Sequence, residues 1–544
     1  MLILEIDKFE KYYNDRSILK IDNLKIYSED KIGIVGPNGS GKTTLMRAVI
    51  GEDLEYKGVI KLNCSFSYIS QLSSDNNYLP QVSMNKFQAE FNVSNQSGFL
   101  SSGEKTRMKI AESLNNNSPI IFADEPTNNL DMEGINLFVE KMKKYNGAVL
   151  IVSHNRKVLN SLCNKIISIE GGKIKMYKGN YDDYKFQKEK ERERSQFLYE
   201  EYENEKKRLL ETLKEKKGEI KAIRNAPRRM GNSEARLHKM GNQKAKKKLD
   251  NSVKNIENRI EKLEKRERPK IEAKVRFNFS ADSALHSKIV IKGEDINLSY
   301  GNKIIYKNAE FKLYKGWKTG FFGPNGCGKS SLIKLITDRN PSISLAEKAE
   351  IGYFNQELNI LEENKTILEN LKGNSSISEG EIRNLLSLLL FRGDDVYKTA
   401  GLLSGGERVK ASIGKLILMK PNLLLLDEPT NFLDIYSIEA LESALKEYDG
   451  TILFVSHDES FLNNVADHVM FIEDCKLKLS DGNYESHKKQ QDRSYSADKE
   501  SRKKVLQNRL SFVIGRLSIP TKKDNLEELN KEYESIIREL KEIN

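Results

Sequence analysis

"IGIVGPNGSGKTTL", residues 32–45, decides the fold. A short β-rich apolar run gives way to a loop of the form G-x-x-x-x-G-K-[ST], Gly36 to Thr43, and a helical pattern follows. Strand, glycine-rich loop and helix N-terminus in that order form a phosphate cradle, because free backbone N–H groups and the positive end of the helix point at one spot. Gly36, Asn38, Gly39 and Gly41 belong to the loop, Lys42 is placed to reach the β- and γ-oxygens, and the Thr43 hydroxyl, followed by Thr44, takes a magnesium position.

The same unit occurs again. "TGFFGPNGCGKSSL" at 319–332 supplies Gly323, Asn325, Gly326, Gly328, Lys329, Ser330 and Ser331, and two copies in register exclude coincidence. "IIFADEPTNNLD" at 120–131 returns as "LLLLDEPTNFLD" at 423–434, and "LIVSHN" at 150–155 as "LFVSHD" at 453–458. The apolar runs before each loop and each Asp-Glu pair read as buried parallel strands alternating with helices, so the expected fold is α/β with two P-loop cassettes, at about 1–184 and 289–487.

Each cassette carries the second half of an ATPase site. Asp124 and Asp427 end apolar runs and suit a magnesium ion, while Glu125 and Glu428 suit polarisation of an attacking water; exposed surface carboxylates would not follow "IIFA" or "LLLL". His154 and His457 lie 29 residues after those glutamates, and the repeated spacing favours a contact to the γ-phosphate or water over a purely structural role. Gln71 in "SYISQ" and Gln356 in "GYFNQ" are candidates for sensing magnesium and water. Tyr13 and Tyr300 precede turns near each cassette start, where a ring either stacks on adenine or packs in the core.

Composition sets the outer limits. A chain of 544 residues is too long for one core. The formal net charge of +11 allows a polyanionic partner without demanding one. Four scattered cysteines form no C-x-x-C pair, which argues against a zinc ribbon, an iron–sulfur cluster or a disulfide framework and for a reducing compartment. Acidic residues directly after the first apolar run are unlike a signal peptide, and no run approaches membrane-spanning length, so a soluble, cytoplasmic chain without a membrane partner is expected.

"LSSGEKTR" at 100–107 and "LLSGGERVK" at 402–410 resemble the signature of ATP-binding cassette (ABC) proteins, on Ser101, Ser102, Gly103, Glu104 and on Ser404, Gly405, Gly406, Glu407. In that family the signature of one cassette closes over ATP and Mg2+ held by the loop of the other. The resemblance therefore implies a monomer with an intramolecular sandwich and two hydrolytic sites. Ser102 departs from the usual Gly, which bears on the site pairing Lys329 with Ser101.

Between the cassettes, Leu198, Tyr202, Leu209, Leu213, Ile220 and Ile223 recur at near-helical spacing, and Leu249, Val253, Ile256, Ile260 and Leu263 form a coiled-coil seam. Two antiparallel helices over 185–288 are expected, reaching roughly 50 Å at 1.5 Å per residue, with their turn in 225–248. Residues 221–248 hold ten Lys or Arg against one acid, Glu234. Such a run is either a solvated charge cluster or an RNA-binding tip. The interleaved Pro227, Gly231, Met230, Leu237 and His238 favour the tip, with Arg224, Arg228, Arg229, Met230, Arg236, His238, Lys239 and Lys244 as candidate RNA contacts.

Two cassettes, no membrane domain, an inter-cassette arm and "RRMGNSEARLHK" at 228–239 resemble the F subfamily of ABC proteins, which act on ribosomes. Cassette one is 18 residues shorter than cassette two between Gln71 or Gln356 and the signature leucine, where housekeeping members carry an added arm. That economy and the helical tail at 488–544 are similar to the Vga- and Lsa-type antibiotic-resistance proteins. The resemblance implies a bacterial ribosome as partner, entry at the tRNA exit site beside P-site tRNA and 23S rRNA, no DNA, and release of lincosamide, pleuromutilin or streptogramin A, reset by ATP hydrolysis. The alternatives are a housekeeping factor for stalled ribosomes and, in another class, the tandem ATPase subunit of a membrane importer, which has no use for a basic arm. In the tail, Leu506, Leu510, Val513 and Leu517, then Leu526, Leu529, Tyr533, Ile536 and Leu540, suggest a helical hairpin broken near Pro520, packed on cassette two or free to meet the ribosome.

Overall fold

The computed structural model describes residues 1–13, 16–70, 102–128, 130–222, 232–266, 287–355, 360–373, 377–391, 393–518 and 526–543. Met1–Met176 with Val275–Asn544 form one compact unit and Tyr177–Lys274 a second.

In the first cassette the order is β1 (Leu2–Tyr13), β2 (Arg16–Tyr27), β3 (Lys31–Val35), α1 (Lys42–Ile50), β4 (Lys57–Leu62), β5 (Phe66–Ile69), α2 (Ser102–Asn115), β6 (Ile120–Asp124), α3 (Met132–Lys144), β7 (Ala148–Val152), α4 (Arg156–Leu162), β8 (Lys165–Glu170) and β9 (Lys173–Lys178). They make one sheet of order β4-β1-β2-β9-β8-β3-β7-β6-β5. Strands β6 and β7 are buried at every residue, as continuous apolar runs in the middle of a parallel sheet must be. Their side chains, with those of β1, β2, β3 and α1, form the core of this cassette.

Tyr177–Lys274 contains two long helices, α5 (Tyr181–Ala222) and α6 (Asn232–Lys262). They pair antiparallel: Leu209 and Val253 are buried at the seam, and Lys217–Glu257 at 2.8 Å and Arg259–Glu205 at 3.1 Å cross between them. Helix α5 starts at Tyr181, four residues before the boundary expected at 185. Asn180 and Asp183 exchange side-chain-to-backbone hydrogen bonds of 3.0 Å and cap it there. The turn expected over 225–248 is corrected from Asn232 onward, where the chain is helical. Glu234, Ala235, Arg236, Leu237, Lys239 and Met240 are strong helix formers, and their summed propensity outweighs the cost of Gly241. Arg236, His238, Lys239 and Lys244 thus lie on α6, whereas Arg224, Arg228, Arg229 and Met230 fall outside the described residues.

The second cassette repeats the plan with β10 (Ile289–Tyr300), β11 (Lys303–Tyr314), β12 (Lys318–Phe321), α7 (Lys329–Thr337), β13 (Ile343–Leu345), β14 (Ile351–Phe354), α8 (Ile367–Lys372), α9 (Glu379–Leu388), α10 (Gly405–Leu418), β15 (Leu423–Asp427), α11 (Ile435–Glu447), β16 (Thr451–Val455), α12 (Glu459–Val465), β17 (His468–Glu473) and β18 (Lys476–Asp481). Its parallel strands run β14-β15-β16-β12-β17, the order of β5-β6-β7-β3-β8 in the first copy.

The tail folds as α13 (Tyr484–Ser518) and α14 (Leu526–Ile543). Leu506, Val513, Leu529 and Ile536 are buried between them, with Leu510, Leu517, Tyr533 and Leu540 packed alongside. The described members of both rows therefore face each other, while the Leu526 side chain lies outside the described residues. The base of α13 is seated on cassette two: Tyr484 meets Phe322 edge-on at 4.9 Å and His487 lies 4.5 Å from Phe471. Pro520 lies outside the described residues. No helix among the described residues is long and apolar enough to cross a membrane.

Candidate functional site

Strand order brings together residues that are far apart in the chain. In each cassette the central parallel strands end side by side, so the loop after β3, the glutamate after β6 and the histidine after β7 converge at one sheet edge. The loop after β12, Glu428 and His457 do the same. This is the edge where α/β folds place ligands.

The loops adopt the geometry that a phosphate needs. Gly41 (φ 96°) and Gly328 (φ 110°) are left-handed immediately before α1 and α7, which only glycine does without strain. Thr43, Thr44, Ser330 and Ser331 occupy the first turns. Lys42 is buried and its ammonium donates to the Gly36 and Pro37 carbonyls at 2.8 and 3.0 Å; Lys329 donates likewise to Gly323 and Pro324 at 3.0 and 2.9 Å. Burial lowers the pKa of Lys42, against the opposing pull of Glu125, Asp434 and Asp124. Tyr13 and Tyr300 are 54% and 59% exposed, so neither is a core residue. The Tyr300 hydroxyl reaches Ser331 Oγ at 3.2 Å, leaving its ring at the mouth of the second loop.

Glu125 and Glu428 share an uncommon backbone. Both have positive φ, 49° and 51°, directly after their strand, while their N–H groups still donate to Val152 and Val455 of the neighbouring strand at 2.9 and 3.1 Å. Each carboxyl then faces its histidine: His154 Nε2 lies 3.1 Å from Glu125 Oε1, and His457 Nε2 lies 3.3 Å from Glu428 Oε1. Burial pushes Glu125 up to about 8 and Glu428 up to about 7, and it holds His154 down at about 3 and His457 at about 4. Each carboxyl oxygen thus lies close to a neutral imidazole without a hydrogen bond joining them, and the glutamates titrate near neutrality.

The two cassettes meet head to tail. Asn38 N–H donates to Asp434 Oδ2 at 2.7 Å and its side-chain amide to the Phe432 carbonyl at 3.0 Å; reciprocally, Asn325 N–H donates to Asp131 Oδ2 at 3.3 Å. Asp131 and Asp434 also cap α3 and α11. A cleft of about 470 Å³ lies at this boundary, lined by Gly103 of the first cassette and Asn325, Gly326 and Lys329 of the second, with Glu125, Glu428 and both histidines. Its size is that of a small-molecule site.

In the second signature, Ser404 and Glu407 form a capping box at the start of α10, with the Ser404 N–H and hydroxyl donating to Glu407 at 3.0 and 2.8 Å. Gly405 and Gly406 open that helix. Ser102, Gly103 and Glu104 open α2. Ser101, Gln71 and Gln356 lie outside the described residues. Sequence reasoning did not single out Asp131 and Asp434, although both end the repeated "DEPTNxLD", the signal that could have found them.

Known proteins resemble this chain along most of its length. The family described as ABC transporter matches residues 19–85, 70–128 and 306–431. The ribosome protection protein VmlR of Bacillus subtilis is 29% identical over 541 residues, 97% of this chain and 96% of VmlR. The erythromycin resistance ATP-binding protein MsrA of Staphylococcus epidermidis is 32% identical over 475 residues, 85% of this chain and 96% of MsrA. The chain belongs to the ABC-F family. It is an ATP-binding protein and an ATPase. Among solved structures, the archaeal ribosome recycling factor aABCE1, in complex with the ribosomal stalk protein aP1, superposes with a TM-score of 0.54 at 18% identity, over 87% of this chain and 89% of that one. At that identity the likeness concerns the fold of this ABC-F chain, two tandem cassettes.

Proposed function

We propose that this ABC-F ATPase binds the bacterial ribosome in its ATP-closed form and protects it from antibiotics of the peptidyl-transferase centre. The observation that carries the reading is similarity along nearly the whole chain, both cassettes and the segment between them, to a protein named for ribosome protection. In this reading α5 and α6 enter from the tRNA exit site beside P-site tRNA, basic residues around 221–248 approach 23S rRNA, and lincosamide, pleuromutilin or streptogramin A leaves. ATP hydrolysis then releases the protein.

The chemistry assigned to each residue follows from its surroundings. The loop N–H groups with Lys42 or Lys329 hold the phosphates, Tyr13 or Tyr300 stacks on adenine, and Glu125 or Glu428, once ionised, takes the proton of the attacking water. His154 and His457 orient that carboxyl. The donor set fits magnesium: among the described residues both Asp124 oxygens are buried without a hydrogen-bond partner, Asp427 accepts from the Ser330 hydroxyl at 3.1 Å on its Oδ1, and all these donors are hard oxygens. When bound, the ion supplies charge neutralisation on the phosphates.

Co-sedimentation of the Glu125→Gln, Glu428→Gln protein with purified bacterial ribosomes tests the partner. ATP-dependent pelleting is expected. Failure to pellet with or without ATP refutes the ribosome, and pelleting without any rise in lincosamide or pleuromutilin tolerance of cells carrying the wild-type protein favours the housekeeping factor.

A further inference from the structure

Directly after the site histidines the two repeats stop matching. His154-Asn155-Arg156-Lys157 stands where the second copy has His457-Asp458-Glu459-Ser460. These residues begin α4 and α12. Cations in the first turn of a helix oppose its dipole, so Arg156 and Lys157 weaken α4 taken alone, whereas Glu459 suits α12.

Their acidic partners lie in the other cassette, and Lys157 also donates to Asn136 of its own. Arg156 Nη1 sits 3.0 Å from Glu442 Oε1 and donates to Oε2 at 3.1 Å, and Lys157 Nζ sits 2.6 Å from Glu459 Oε1. Asn464 holds Glu442 Oε2 from its own side at 3.1 Å. Arg156 and Glu442 are 8% and 6% exposed, so the pair is formed away from solvent. The first repeat has Val139 where the second has Glu442, so the arrangement is built once and has no mirror copy.

We propose that this one-sided clasp couples the two ATP sites, by tying the loop of His154 to that of His457 with Arg156 and Lys157 as positioning residues. The proposal rests on the roles given above to Glu125 and Glu428. A buried guanidinium cannot part from its carboxylate without both being resolvated together. Movement of the α4 N-terminus, two residues from His154, therefore carries α11 and the start of α12 with it, and His457 precedes that start by two residues. Arg156 Nε and Nη2 have no hydrogen-bond partner, so the clasp is incompletely satisfied. It fixes register at small net stabilisation and can release.

Steady-state phosphate release from single-site variants tests the coupling. If the sites are independent, the rates of Glu125→Gln and Glu428→Gln add up to that of the parent; if coupled, the sum falls short, by about five-fold or more for an ordinary coupling energy. The shortfall is expected with the clasp intact and should vanish in an Arg156→Met, Lys157→Met background. It should return in the charge-swapped Arg156→Glu, Glu442→Arg protein, which a loss of packing alone would not achieve. An equal shortfall with and without the clasp, or additive rates in both, overturns the proposal. Should Arg156→Met fail to fold, Lys157→Gln at the more exposed pair must reduce the shortfall in the same direction. The Glu125→Gln, Glu428→Gln protein should be inactive; turnover there refutes the glutamate roles and leaves the clasp to be judged separately by nucleotide-binding cooperativity.

Discussion

Changing the pH should switch the two ATP sites on at different points, because burial raises their glutamates unequally. Glu125 stands at about 8 and Glu428 at about 7, and only the ionised carboxylate can accept a proton from water. The histidines do not interfere: burial keeps His154 at about 3 and His457 at about 4, so both stay neutral above pH 6. Glu428→Gln isolates the first site and Glu125→Gln the second. At pH 7 the carboxyl at 8 is roughly one-tenth ionised and the one at 7 about half. Normalised to its alkaline plateau, Glu428→Gln should therefore run at roughly a tenth at pH 7 and Glu125→Gln at about half. The assay is phosphate release at saturating ATP from pH 6 to 9 at constant ionic strength. Superimposable profiles, or turnover that falls as pH rises from 6 to 8, would refute the reasoning.

Stability should respond in the opposite sense. A carboxyl whose folded pKa is raised from 4.5 to about 8 contributes fully below 4.5 and loses that contribution as pH rises to 8, so Glu125→Gln should melt above wild type at pH 8. The gap, of the order of a few kcal/mol, should close near pH 5, as scanning calorimetry at the two pH values would show. Gly406→Ala places a Cβ 2.6 Å from the Phe432 carbonyl and from Asn38 Nδ2, where the cassettes meet. Overpacking by about 1–3 kcal/mol should cut turnover ten-fold or more and lower the melting temperature of the second cassette by a few degrees, and an unchanged rate would count against the head-to-tail contact. Ile536→Ala, at a position 3% exposed, should cost the tail hairpin about 2–5 kcal/mol and speed amide exchange across α13 and α14 without slowing ATP turnover.

The parts of the site carried by contiguous sequence were legible before the fold was known. Loop, Asp-Glu pair and histidine announce themselves because each follows an apolar run and occurs twice, and strand order then does what periodicity implies. The arm helices and both rows of the tail hairpin were readable from spacing alone. The helical start at Asn232 was not, because glycine and proline near a charge run suggest a turn while the propensities of Glu234 to Met240 favour helix. Asp131 and Asp434 end a repeated run, but their action on a backbone amide of the other cassette, Asn325 or Asn38, spans nearly 200 or 400 residues and is set by the docking of the cassettes.

The backbone at Glu125 and Glu428 shows why neither the motif nor the strand alone accounts for the site. An extended residue after Asp124 or Asp427 would alternate to the opposite face of the sheet from its predecessor and continue along the strand. The positive φ turns the chain at that point, yet the glutamate N–H keeps its bond to Val152 or Val455, so the sheet is not loosened by the turn. A non-glycine residue held there costs on the order of 1–3 kcal/mol. Substitution by glycine would relieve that strain, so its absence at both positions follows from a requirement for the carboxyl itself, buried beside a histidine and raised toward neutral pKa. The duplicated strain and the duplicated pKa shift have one origin, a carboxyl forced into the apolar end of a parallel sheet. The clasp built by Arg156 and Glu442 is a feature that duplication does not share, with Val139 standing in the first copy where Glu442 stands in the second.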